Sequence, residues 1–330
     1  MTRRASGVVA ALAVGVLLLA GCSAEETPLP SPTKAAATTP AAPVDCENDA
    51  STVASYPPST SGGPTLDEIR SRDNGQGRLV VGVSGDTYLM SSQAPGSLQL
   101  QGFDIDIAKA VARAIFGPDA NLGERIQFKV ITAADRIPDL QDGTVDMVVR
   151  NMTITCDRWE QVAFSAEYYH ATQKMLFRDA GTAADYGSVS DLAGLRICAP
   201  AGSTSLTNIS NDEPDAIITP AATHTGCLVK LQQGEVDAIT GDDTVLAGLA
   251  AQDPYAVVPT DQPDLSEAER TYGEPYGVAV SKDAKDLAAF INAVLADLDR
   301  TGEWQRIYHR WLEPYLKVPA TQPTPAYGRS

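Results

Sequence analysis

Histidine is scarce in this chain of 330 residues: there are three, His170, His224 and His309, and they lie far apart. No HExxH, GxSxG or GxxxxGK[ST] pattern occurs, so the local signatures of a zinc peptidase, a serine hydrolase and a phosphate-binding loop are missing. Cysteine numbers five with no CxxC pair, which argues against a zinc site. Cationic residues are in deficit: 25 Lys and Arg face 42 Asp and Glu, a formal net charge of −17. Such a field repels nucleic acid and anionic lipid, so neither is expected as a partner. An anionic small ligand would need arginines of its own. Aromatics are only 6% of the chain.

No apolar run reaches the length of about 20 residues that a membrane-spanning helix needs. The stretch Val8 to Ala20 is apolar but shorter, follows Arg3 and Arg4, and ends Leu19-Ala20-Gly21-Cys22. This resembles a bacterial lipobox, which implies a signal peptide at 1–21, acylation of Cys22 and an extracytoplasmic protein held to the cell membrane by lipid alone. From 22 to 45 the chain is rich in Pro, Thr and Ala and reads as a flexible tether. The stretch from Val318, "VPATQPTPAYGRS", has the same character and reads as a flexible tail, 318–330.

Between them lies a pseudo-repeat. "LQDGTVDMVV" at 140–149 matches "LQQGEVDAIT" at 231–240. Each reads as a helix closed by glycine, Gly143 or Gly234, followed by a buried strand. "GRLVVGV" (77–83) and "GLRICAP" (194–200) are further short strands that lead into a loop and a helix. Strands alternating with helices imply parallel βαβ units, and two such sets imply two lobes. The expected fold class is therefore α/β: two lobes, each a mixed, mainly parallel sheet flanked by helices, joined by a two-stranded hinge. Lobe 1 is expected at 46–168 plus 276–317, and lobe 2 at 169–275. In "EWQRIYHRWL", Trp304, Ile307, Tyr308, Trp311 and Leu312 share one helical face that reads as core.

The first pseudo-repeat strand runs into Arg150, Asn151, Thr153 and Arg158; the second runs into Asp242 and Asp243. Ligands of α/β sheets bind at the carboxyl ends of strands. Facing lobes would thus set cations against anions, an arrangement suited to a zwitterion. Asp242 and Asp243 are neighbours on a strand, point to opposite faces, and make a poor acid–base pair. An enzyme, such as a lyase, is therefore the lesser alternative.

Taken in order, "GFDIDIAKAVARAIFG" (102–117), "TITCDRWEQVAFS", "AGSTS", "GDDTVLAG" and "TGEWQRIYHRWL" resemble the type II periplasmic, or extracellular, solute-binding proteins specific for polar amino acids. The resemblance implies that Arg158 grips the ligand α-carboxylate in a bidentate fork, with Thr153, Thr204 and Ser205 adding contacts. It implies that Asp242 takes the α-ammonium, near Asn151. Arg136 stands where glutamate- and aspartate-binding relatives carry an arginine for the distal carboxylate, and Arg150 is a second cation there. Glutamate and aspartate lead the expected ligands, before asparagine and glutamine. Tyr88 and Asp86 are weaker candidates for closing the pocket. The expected partner of this monomer is an ABC permease, with a membrane sensor as the alternative; no metal or cofactor is expected. Four cysteines beyond Cys22 allow three pairings. Because a bridge between lobes would hinder closure, Cys198–Cys227 and Cys46–Cys156 are expected.

Overall fold

The computed structural model describes residues 48–330 except 50, 179–180, 182, 184–185, 263–264 and 266–272. The signal peptide, Cys22, the tether and Cys46 lie outside the described residues. No helix among the described residues is long and apolar enough to cross a membrane.

Two sheets bear out the α/β expectation. The first orders β5 (Ile126–Val130), β1 (Leu79–Val83), β6 (Met147–Val148), β12 (Glu274–Ser281) and β7 (Val162–Ala171). β1 runs parallel to β5 and β6, while β12 is antiparallel to both its neighbours. The second orders β10 (Ile217–Ile218), β9 (Arg196–Cys198), β11 (Ala238–Asp242) and β8 (Gln173–Phe177). It too is parallel but for one strand, β8. A small antiparallel sheet of β2 (Asp86–Thr87), β3 (Ser91–Gln93) and β4 (Leu100–Gln101) sits beside the first. One hinge segment is Thr172, between β7 and β8; the other leads into β12 at Glu274.

The pseudo-repeat has a shared physical basis. Gly143 and Gly234 both adopt φ of +73°, which a side chain would penalise, and each ends its helix there. Three residues on, Asp146 and Asp237 each clasp the start of the neighbouring strand. Asp146 accepts from the Val80 N–H (2.8 Å) and from Arg72; Asp237 accepts from the Arg196 N–H (2.9 Å) and from the Arg196 guanidinium. The common Leu-Gln-x-Gly-x-Val-Asp thus encodes a helix stop and a strand clasp, one per lobe.

The few aromatics are concentrated in lobe 1. The helix Glu303–Trp311 buries Trp304, Ile307 and Tyr308 as its apolar face predicts. Trp304 stacks on Tyr308 and meets Phe103 edge-on, and Tyr308 stacks on Tyr169, which packs against Tyr276 of the hinge. Core aromatic packing therefore reaches the hinge strand itself.

The reading of 318–330 as a flexible tail is corrected. The Ser55 N–H donates to Ala326 O and the Gly328 N–H donates to Ser55 O, both at 2.9 Å. The Arg329 guanidinium lies 3.8 Å from the Trp159 ring centroid, and the Tyr308 hydroxyl donates to Val318 O. Proline and small residues lack a packing period, but their carbonyls and the single Tyr327 and Arg329 suffice to fasten the strand to lobe 1.

Cys198 and Cys227 are disulfide-bonded, with Cα atoms 5.5 Å apart. Cys156 is also disulfide-bonded, and its expected partner, Cys46, lies outside the described residues.

Candidate functional site

The site begins where β6 stops. The chain turns at Asn151, whose φ of +34° is rare for a residue with a side chain. It then pairs with the hinge: the Ile154 N–H donates to Pro275 O (2.7 Å) and the Gly277 N–H to Met152 O (3.0 Å). A Cβ at Gly277 would lie 2.7 Å from Ile154, so only glycine lets the strands meet here. Next, the Thr155 hydroxyl caps the short helix Cys156–Trp159 by accepting from the Arg158 N–H. That turn folds Arg158 back over its own strand, where Nη1 donates to Thr153 O at 2.6 Å.

Lobe 2 meets this edge with a helix start. Ser203 caps the helix Thr204–Asp212. Gly202, at φ +76°, approaches lobe 1 so closely that a Cβ would lie 2.8 Å from Ala134. Its carbonyl accepts from Arg136 Nη2 (2.9 Å) and Arg158 Nη2 (3.4 Å). The Thr153 and Thr204 hydroxyls lie 3.2 Å apart. Both also donate to Glu274, at 2.5 and 2.8 Å, and Asn208 donates to its other oxygen. A fully buried hinge carboxylate thereby joins one hydroxyl from each lobe.

A small cavity of ≈ 10 Å³, about the room one water needs, lies between the lobes. Arg136, Arg150 and Asn151 line it from lobe 1; Thr204, Ser205, His224 and Asp242 line it from lobe 2. Thr153 and Arg158 adjoin it through Glu274 and Gly202. The structure therefore brings together seven of the nine expected contact positions around Gly202 and the hinge, and an eighth, Ser205, whose carbonyl accepts from Gln173. Tyr88 is the exception. Its hydroxyl and ring face Tyr315, outside this cavity, because the β2–β3 turn carries it to the end of lobe 1. Asp86 is occupied by the Ser84 hydroxyl, with its carbonyl accepting from Thr225.

The two side-pocket arginines differ. Arg136 is spent on main-chain carbonyls, donating to Ala133, Arg150, Asn151 and Gly202. Burial pushes its guanidinium pKa down, as do the neighbouring charges of Arg158 and Arg150, and those carbonyls offset the cost. Among the described residues Arg150 is held at Nε, by Ile131 O, with no hydrogen bond from its Nη groups, and it lines the cavity. Opposite, burial raises the Asp242 pKa well above the carboxylate range, reinforced by the charge of Glu274. Its Oδ2 accepts from the Tyr276 hydroxyl at 2.5 Å, while Oδ1 has no hydrogen-bond partner among the described residues. Asn151 Oδ1 and His224 Nε2 are likewise buried and unpartnered among the described residues. Burial lowers the His224 pKa to about 4, so the imidazole is neutral at pH 7. Buried polar atoms without partners are costly, and three around one cavity mark a surface built to meet another polar molecule.

Glu274, Tyr276, His224 and Gln173 were not legible as site residues. The available signal was an acidic residue at the head of an apolar strand, in "GEPYGVAVSKD", and a histidine directly after the helix cap Thr223.

The ABC transporter glutamine-binding protein GlnH of Bacillus subtilis is 35% identical over 250 residues, covering 76% of this chain and 85% of the relative. The glutamate-binding protein GluB of Corynebacterium efficiens is 28% identical over 233 residues, covering 70% and 77%. Among solved structures, a mutant of ArgBP from T. maritima superposes with a TM-score of 0.65 at 28% identity, covering 76% of this chain and 99% of that one. The family model of the bacterial extracellular solute-binding proteins, family 3, matches residues 79–314. With two α/β lobes meeting at a polar site and a match over most of its length, the chain belongs to the bacterial extracellular solute-binding proteins, family 3.

Proposed function

We propose that the protein captures a free acidic amino acid, glutamate or aspartate ahead of their amides, between its lobes and delivers it to an ABC permease. The observation that carries this reading is the charge balance of the buried cleft. Three guanidiniums, Arg136, Arg150 and Arg158, face the buried acids Asp242, Glu274 and Asp104, and burial raises the pKa of Asp242 and of Asp104 towards their neutral forms, so positive charge is in excess. A zwitterion alone leaves that excess of positive charge unchanged; a second carboxylate on the ligand neutralises it. In this reading Arg158 and Thr153 take the α-carboxylate, Asp242 Oδ1 the α-ammonium, and the Arg150 Nη groups the distal carboxylate. The relatives named for glutamine and glutamate support a ligand of this size.

Calorimetric titration of protein stripped of ligand by unfolding and refolding tests the reading. Glutamate or aspartate is expected to bind most tightly. Tight binding of only neutral or basic amino acids would reject the distal-carboxylate role of Arg150, and no binding by folded protein would reject the amino-acid reading altogether.

We further propose that Cys22 carries the lipid that holds the protein outside the cell membrane. Cells given a labelled fatty acid should label the wild type and not Cys22→Ala; equal labelling of both sinks the anchor.

A further inference from the structure

We infer that Asp104 is a positioning residue of the cleft, holding Asn151 in place and setting how strongly the site prefers an acidic amino acid over its amide. This rests on the amino-acid reading above. Asp104 lies in the first turn of the helix Phe103–Phe116 and is fully buried. Its Oδ2 accepts from the backbone N–H of Asn151 at 2.9 Å, and its Oδ1 accepts from the Tyr168 hydroxyl at 2.8 Å. The first bond fixes the residue at which the chain turns with positive φ, and so aims the unpartnered Asn151 Oδ1 at the cavity. The Asp104 charge also acts on Arg150, the cation with Nη groups to spare.

Asp104 is therefore the third acid of a cleft with three guanidiniums. When it is protonated, Arg150 lacks that counter-charge, and an anionic side chain is favoured. Once it is ionised, it offsets the Arg150 charge and the amide loses part of its disadvantage. Burial raises its pKa to about 7, opposed by Tyr168, the Asn151 amide and Arg150. The preference for glutamate over glutamine should thus fall as pH rises through that region, by at most about tenfold per pH unit for one linked proton. Other charges face the same groups: Asp86 and Asp135 act on Arg150, Arg136 acts on Tyr168, and Asp242 and Glu274 occupy the hinge. All of them persist in an Asp104 variant, so comparison with wild type isolates Asp104.

The test has two readouts. In the ligand-free protein, the Asn151 amide resonance is followed from pH 5.5 to 8.5 in wild type, Asp104→Asn and Tyr168→Phe. It should titrate in wild type, stay flat in Asp104→Asn, and titrate with a higher midpoint in Tyr168→Phe, which folds with its ring intact but loses the donor. The ratio of glutamate to glutamine affinity, measured by calorimetry over the same range, should fall with pH in wild type and flatten in Asp104→Asn. An Asn151 amide that does not titrate, or a ratio whose pH dependence survives in Asp104→Asn, overturns the inference. Binding of neither amino acid would reject the function reading instead, and the Asn151 titration alone would then decide whether Asp104 positions that residue.

Discussion

Arg158→Ala is expected to weaken amino-acid binding by roughly 30- to 5,000-fold, the range that corresponds to about 2–5 kcal/mol for removing one partner of a buried charge pair. Two features place the effect high in that range. Arg158 is 8% exposed, so solvent does not screen the loss. Its guanidinium also touches both lobes, through Thr153 O and Gly202 O, so truncation removes a lobe-to-lobe contact together with the proposed ligand contact. Arg158→Lys should recover only part of the affinity, because an ammonium cannot offer two parallel N–H groups. Titration calorimetry on variants with unchanged circular dichroism checks this. Binding within threefold of wild type would remove Arg158 from the ligand site and leave it a brace between Thr153 and Gly202.

The second large effect concerns stability. Replacing both Cys198 and Cys227 by serine should lower the unfolding free energy by about 3–4 kcal/mol, from loop-closure entropy over a separation of 29 residues. It should act on binding as well. Cys198 ends β9 just before Pro200 to Ser205, and Cys227 sits on the helix His224–Gln232, whose first residue lines the cavity. The bond thus ties together both arms of the lobe 2 half-site, and its loss should raise Kd along with lowering the urea midpoint. A midpoint shift with unchanged Kd would mean that the hydrogen bonds of Thr204 and Asn208 alone hold that half-site in place.

The legible parts of this molecule are those whose physics is local. The pseudo-repeat, with Gly143 and Gly234 as helix stops, announced two α/β lobes, and the spacing of Trp304, Ile307 and Tyr308 announced a core face. That Arg158, Thr153 and Asp242 lie near one another could be expected because each lies at or beyond the end of a strand. Glu274 was not, because its partners Thr153 and Thr204 are 121 and 70 residues away, and nothing near it differs from an ordinary strand start. Arg136 and Arg150 looked alike in sequence; only the carbonyls around Arg136 separate a brace from a cation with donors to spare. The tail misled for the converse reason. Its order comes from main-chain bonds to Ser55, and backbone carbonyls leave no compositional trace.

Those bonds to Ser55 have a consequence for connectivity. Residues 55 and 327 are neighbours in a two-stranded bridge, so the two ends of the folded unit meet on lobe 1. The lobe is thereby nearly a closed ring of chain, and the order in which its segments are joined is separable from the shape they make. A crossover linker of about a dozen residues from residue 330 to residue 48, needed because the two segments run parallel, would allow the chain to be opened at the exposed turn around Leu98, giving a permuted protein with new ends beside the small β2–β4 sheet and the hinge strands uncut.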